Sequence, residues 1–193
     1  MNEVGRTQDV ADGERIYSAR FSQDRGYIVT FREVDPLFTV DLKDPTNPKI
    51  IGELKVPGFS TYIHPLGDNH LITIGIHQPE PDADGRVAWD ERAIKLSMFD
   101  VTDFANPTEI FTRKLGTTNG TSEALYEHKA FNFFEEKGLL AVPFADYSYS
   151  WSNGDYWANF RSELRVFSVD TNSGFTPLGS VKMTDFYETQ DNR

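Results

Sequence analysis

Two stretches decide the fold: Leu37-Phe38-Thr39-Val40-Asp41-Leu42-Lys43-Asp44-Pro45-Thr46-Asn47-Pro48 and Leu96-Ser97-Met98-Phe99-Asp100-Val101-Thr102-Asp103-Phe104-Ala105-Asn106-Pro107. Each begins with a short apolar run of strand-forming residues, continues through Asp-x-x-Asp, and reaches Asn-Pro at the same offset. A shorter strand pattern follows each, at Ile50 to Val56 and Glu109 to Leu115, and a worn third copy runs Leu164-Arg165-Val166-Phe167-Ser168-Val169-Asp170-Thr171-Asn172-Ser173-Gly174 before Phe175 to Met183. Asp at these strand-to-loop junctions accepts hydrogen bonds from backbone N–H groups two residues on, so Asp41, Asp44, Asp100 and Asp103 read as turn-fixing devices.

Upstream of each copy a hairpin is legible. Ile16 to Phe21 turns through Gln23-Asp24-Arg25-Gly26 into Tyr27 to Phe31; Thr61 to His64 turns through Gly67-Asp68-Asn69 into His70 to Ile74; Lys129 to Phe134 turns through Glu135-Glu136-Lys137-Gly138 into Leu139 to Val142. Gly, Asn and Asp supply the dihedrals that tight hairpins need, and the flanking period-two patterns rich in Val, Ile, Phe and Tyr argue strand over helix. Pro45, Pro48 and Pro107 lack backbone donors and belong in loops. The sum is three units of four antiparallel strands, near 14–59, 60–116 and 126–183. A four-stranded repeat of this length is the blade of a β-propeller, in which neighbouring sheets cover one another's faces. The spacing also admits a β-sandwich; the repeated offset favours an all-β partial propeller of three four-stranded blades, a single unit over 1–193.

Composition narrows the function. The 193 residues carry 19 Lys plus Arg against 30 Asp plus Glu, a formal charge of −11, which disfavours nucleic acid and anionic lipid as partners. Aromatics at 13% suffice for a packed core. With no cysteine, thiolate chemistry and disulfides are excluded. No apolar run has the length of a membrane helix, and no signal-peptide core follows Met1, which reads as a processed or engineered start.

The run from Gly13-Glu14-Arg15-Ile16-Tyr17-Ser18-Ala19-Arg20-Phe21 through Val34-Asp35-Pro36-Leu37-Phe38 to Gly52-Glu53-Leu54-Lys55-Val56-Pro57-Gly58-Phe59-Ser60-Thr61-Tyr62-Ile63-His64-Pro65-Leu66 resembles bacterial and archaeal secreted proteins with a C-terminal β-propeller domain distantly related to WD repeats. The likeness implies a secreted or cell-surface location and a parent with more blades; it supplies no catalytic residues. Three blades are about half of a ring, since closed propellers usually have about four to eight. The resulting open blade faces predict self-association, with two copies forming a six-bladed pseudo-ring.

Successive strands run up and down, so the loops between second and third strands share an end with the links between blades. That connection is short in the first unit, Arg32 to Pro36, and long in the others, Gln78 to Ala93 and Asp146 to Ser162. The longer loops make that end the candidate working surface. In the first of them Asp82, Asp84 and Asp90 offer hard oxygens around Gly85, candidate calcium ligands, but the spacing departs from a calcium loop and a solvated acidic turn fits it better. In the second, six aromatics lie within fourteen residues. Tyr147, Tyr149, Trp151, Tyr156 and Trp157, spaced by Ser, Asn and Gly, suit a protein or carbohydrate ligand; the alternative is that they cover a blade edge. His64 and His128 fall on or just before innermost strands, His70 begins the second strand of the second unit and His77 lies at the root of its insertion, none with metal-motif spacing. Asn119-Gly120-Thr121 is a glycosylation sequon. No catalytic residue or resident cofactor is assigned. The leading expectation is a non-catalytic extracellular scaffold for protein or ligand interaction, and the alternative is a metal-assisted hydrolase or lyase acting on carbohydrate.

Overall fold

The computed structural model describes residues 2–7, 10–11, 13–31, 35–150 and 155–184, with the backbone alone for 31, 35, 149–150 and 155–158. Among these, twelve strands form three four-stranded antiparallel sheets, each in sequence order and without crossovers. The first sheet holds β1 (Arg15–Ser22), β2 (Arg25–Phe31), β3 (Asp35–Asp41) and β4 (Lys49–Val56). The second holds β5 (Phe59–Leu66), β6 (His70–His77), β7 (Ala93–Asp100) and β8 (Thr108–Leu115). The third holds β9 (Asn132–Phe134), β10 (Leu139–Ser150), β11 (Asp155–Asp170) and β12 (Gly174–Lys182). The described residues contain no α-helix, so the expected all-β blades are what the chain forms.

Alternation along the strands gives each sheet two faces, and the middle sheet shares its two between two neighbours. On the second sheet, Leu71 and Phe99 join Tyr27, Val29, Leu37, Val56, Ile63 and Val101 in a core against the first sheet. Their neighbours Ile72 and Met98, with Ile74, Ile76, Ile94 and Leu96, point the other way into a core with Leu140, Val142, Phe144, Phe167, Val169 and Phe175 of the third. Adjacent residues Leu71 and Ile72 are 1% and 0% exposed although they face opposite directions, so the middle sheet is sealed on both sides.

Polar contacts fix the seams. Between the first two sheets, Ser18 Oγ donates to the Ser60 carbonyl (2.9 Å) and Thr39 Oγ1 to that of Phe104 (2.6 Å). Lys95, buried on β7, donates through Nζ to the Pro57 carbonyl (2.9 Å) and to Glu109 Oε1 (3.3 Å), so the cation leaves water with an anion and a carbonyl as replacement partners. Between the second and third, Arg113 Nε donates to the Phe175 carbonyl (2.8 Å). The Arg165 guanidinium lies 3.5 Å from the centroid of the Phe144 ring. His64 sits in this seam too: its Nδ1 is 3.2 Å from Tyr62 Oη, and its ring packs 5.4 Å from Phe133 and 6.0 Å from Phe131. Tyr62 also stacks on His128 at 6.5 Å, so the two histidines expected near the innermost strands meet across one tyrosine.

The Asp turns form as read. Asp41 Oδ1 accepts from Lys43 N (2.9 Å), Asp100 Oδ1 from Thr102 N (2.8 Å) and Asp170 Oδ1 from Asn172 N (2.9 Å), each two residues on. Asp44 and Asp103 repeat the device with Thr46 N and Ala105 N. Hydrogen bonds from Thr46, Thr102 and Asn106 side chains hold Asp44, Asp100 and Asp103 below the usual carboxylate range, and the Asn172 backbone N–H does so for Asp170.

Three local details differ from the expectation. The first hairpin turns at Gln23-Asp24, with Gln23 at φ 53°, and Gly26 belongs to β2, where it lies opposite Phe21. A Cβ on Gly26 would come within 3.1 Å of the Phe21 ring. In the third sheet the first strand is only Asn132–Phe134. It is preceded by 3₁₀ turns at Glu123–Leu125 and His128–Ala130, capped by Ser122 Oγ and the Glu127 carboxylate. Those caps give the backbone donors a local partner and compete with sheet pairing. The long loop expected over Asp146 to Ser162 is instead mostly strand, because β10 and β11 continue to Ser150 and from Asp155 with register shifts after Asp146 and Ser148.

Two outcomes follow from this packing. Leu96→Ala, at a site with no exposure, costs about 2–5 kcal/mol in denaturant unfolding, whereas Leu178→Ala, at an exposed site, stays within about 0.5 kcal/mol. Burial, then the Arg20 charge, hold the His64 imidazole below its usual value against an opposing pull from Glu135; burial, then Lys114 and Lys95, do the same for His77. Below about pH 6.5 the unfolded chain therefore binds more protons than the folded one, so stability present in full above that value is lost as pH falls through the folded-state pKa values. The thermal midpoint drops between about pH 7 and pH 5, and His64→Gln shrinks the drop; an equal drop in both proteins contradicts this account.

Candidate functional site

The end carrying the β6–β7 loop, the β10–β11 hairpin and the links between sheets is built from tightly bonded elements. In the β6–β7 loop, Asp82 Oδ1 accepts from Asp84 N (2.9 Å) and Arg86 N (2.8 Å). Asp82 also pairs through its backbone with Arg86 (N to O, 2.8 Å), and Gly85, at φ 77°, donates to the Asp82 carbonyl (2.9 Å). Asp84 Oδ2 faces Arg86 Nη1 at 3.4 Å. The Asp82 carboxylate is thus the hub of a turn, with Asp84 beside a guanidinium. Asp90 lies in a separate 3₁₀ turn, Trp89–Glu91. Among the described residues no three His, Asp or Glu side chains converge as a metal site.

The link from β8 to β9 is tied to β10. Asp146 is 1% exposed, and its Oδ2 accepts from Thr117 N (3.0 Å) while its Oδ1 accepts from Thr117 Oγ1 (2.7 Å) and Tyr147 N (2.9 Å). Arg161 Nη2 stands 3.5 Å from Oδ2. Asn119 Nδ2 donates to the Tyr147 carbonyl (3.1 Å), Thr121 bridges Ala145, and Ser122 Oγ donates to the Pro143 carbonyl (2.5 Å). The sequon residues are thereby engaged in holding the link against the sheet. Gly116, at φ 74°, lets the chain pass where a Cβ would lie 2.5 Å from the Phe144 ring.

Of the aromatic candidates, Tyr147 is half-buried at the root of the hairpin. Tyr149 lies on β10 and Tyr156 and Trp157 on β11, with side chains outside the described residues, as is Trp151 altogether. Asn159, at φ 58°, donates through Nδ2 to Ser148 Oγ (2.9 Å) and joins the two strands where their register shifts. Two further aromatics lie at this end. Trp89 is 58% exposed in the β6–β7 loop and Tyr126 is 82% exposed between the two 3₁₀ turns of the link.

Asp146 and Tyr126 were not singled out from sequence. A signal for Asp146 exists: Leu140, Val142 and Phe144 are all buried on one face of β10, and the next position of that period is Asp146. An acid continuing a buried stripe needs donors, and Thr117 is the nearest supplier. Tyr126 follows buried Leu125 with no periodic pattern to mark it.

A family model described as a beta propeller domain matches residues 1–193. An uncharacterized protein of Methanocaldococcus jannaschii is 41% identical over 149 residues, covering 77% of this chain and 22% of that protein. An uncharacterized protein of Archaeoglobus fulgidus is 38% identical over 155 residues, covering 80% of this chain and 23% of its own length. The chain therefore spans under a quarter of the curated relatives that it matches. Three consecutive four-stranded sheets packed face to face agree with the model that runs their whole length, and the chain belongs to the beta propeller domain family.

Proposed function

We propose that this propeller unit is part of a non-catalytic extracellular scaffold for protein or ligand interaction, whose outer sheet faces are built to be covered by further β-sheet. The observation that carries the reading is the contrast between the sealed middle sheet and the outer faces of its neighbours. Ile16 and Phe21 are 56% and 60% exposed on β1, on the side away from the second sheet. At the opposite face, Leu164 and Val181, paired across β11 and β12, are 36% and 58% exposed. Apolar sheet faces of this kind gain free energy when another sheet covers them. A second copy placing its first sheet on this third sheet, and the reverse, completes a six-bladed ring. Exposed Trp89 and Tyr126 support a second, ligand-facing role for the end that carries the long loop, since rigid amphipathic rings predominate at protein interfaces. The extracellular location rests on the family likeness of residues 13–66.

Sedimentation equilibrium of the chain is expected to give a dimer, and Val181→Lys a monomer of unchanged fold; a parent chain that stays monomeric at high concentration overturns the self-association. Asp146→Ala strips the β8–β9 link of its anchor and leaves the Thr117 N–H unpaired, with an expected loss of about 1–3 kcal/mol in thermal or denaturant unfolding.

A further inference from the structure

At the end opposite the long loop, the β1–β2 and β5–β6 turns flank an open recess of about 380 Å³ between the first two sheets, with Gln23, Asp68 and Asn69 exposed at its rim. That volume lies at the small end of the range of about 300–1,000 Å³ typical of small-molecule sites. Its frame is fixed. Arg25 Nη1 donates to the Asp68 carbonyl (2.8 Å) and the guanidinium lies 5.2 Å from the Phe104 ring centroid, so one side chain clamps both turns. Leu42 N donates to the Asp24 carbonyl (2.7 Å) and Val101 N to that of Asn69 (2.8 Å), which ties each turn to the Asp turn of its own sheet. Gln23 is held at φ 53°, a region that a residue with a long side chain seldom occupies.

The lining is polar and uncommitted. Asp41, Asp44, Asp100, Asp103 and Asp170, at the same end, all spend a carboxylate oxygen on a turn N–H. By contrast, among the described residues, the side chains of Ser22, Gln23, Asp24, Asp68 and Asn69 hold no hydrogen bond to protein. Two carboxylates accept, two amides both donate and accept, and a hydroxyl does either. A ligand that satisfies this set must itself carry several groups that donate and accept in close succession. Carboxylates at both turns repel a phosphate or another anion. The Arg25 guanidinium between them disfavours a metal ion, and apolar atoms are too few for a lipid.

We propose that this recess binds a neutral polyhydroxylated ligand, a single saccharide unit, through Gln23, Asp24, Asp68 and Asn69. The site is separate from the surfaces of the scaffold reading and stands or falls without it. The test is saturation-transfer NMR of the 193-residue chain with D-glucose, D-galactose, D-mannose and N-acetylglucosamine in turn, and with spermidine as a cationic comparator. At least one sugar is expected to give a saturable signal. Asp68→Ala is expected to weaken it about tenfold or more without moving the thermal midpoint, while Asp82→Ala at the other end leaves it unchanged. Asn69→Ala, which keeps both turn carbonyls, serves the same purpose if Asp68→Ala shifts the midpoint. Silence from all four sugars overturns the proposal, as does binding of spermidine alone. So does a sugar signal that survives both turn variants or is lost on Asp82→Ala.

Discussion

A four-stranded sheet made from alternating apolar residues has two faces to hide and only one chain with which to do so. The middle sheet resolves this by dividing its residues, Leu71 and Phe99 to one side and Ile72, Ile74, Leu96 and Met98 to the other, each set covered by a sibling sheet. Burying either set is worth on the order of 1.5–3 kcal/mol per large side chain, and neither set could be covered by the strands of its own sheet. Every other feature is arranged around that requirement. Links between sheets are short or lashed down, turns are compact, and polar side chains at the seams are placed where a carbonyl or carboxylate can meet them.

The seams show how polar groups are admitted to such an interior. Lys95 enters it because the Pro57 carbonyl and Glu109 are both within reach, and Asp146 because Thr117 supplies two donors. Ser97 Oγ is the exception among the described residues: buried completely and without a hydrogen-bond partner. A buried hydroxyl without a partner costs about 1–3 kcal/mol, and this one sits on β7 two residues from the lysine.

Much of the fold was legible because its signals are local and repeated. Asp41 and Asp100 stand at the same offset from Asn-Pro, and both use the same bond to the N–H two residues on, so the pattern and its physical cause coincide. What escaped was decided by partners remote in sequence. Asp146 lay within a stretch of mixed Tyr and Ser that reads as loop, yet a strand persists there because β11 supplies a register that tolerates two shifts. Lys129 to Ala130 is the local exception: its N-terminal N–H is taken by the Glu127 carboxylate two residues back, a short-range cap that the strand-like pattern of the segment hides. The candidate ligands of the β6–β7 loop illustrate the opposite error of emphasis: Asp82 was recognisable as an oxygen donor, but its nearest demand is from its own backbone. The polar recess at the far end left no trace in sequence, since it exists only where two turns are brought together by Arg25 and Asp68, 43 residues apart.

Gly52 on β4 has room for nothing larger than hydrogen, because the carbonyls of Phe104 and Ala105 from the second sheet would stand 2.7 Å from any Cβ there. Thr39, its partner across the strand pair, completes the contact by bonding the same Phe104 carbonyl. The Asp103 turn of one leaf is therefore wedged against the outer strand of the leaf before it. A methyl group at that point would pry the two apart at their periphery and leave their inner edges joined. The spacing of these two leaves at their outer edge therefore depends on the absence of a single carbon atom.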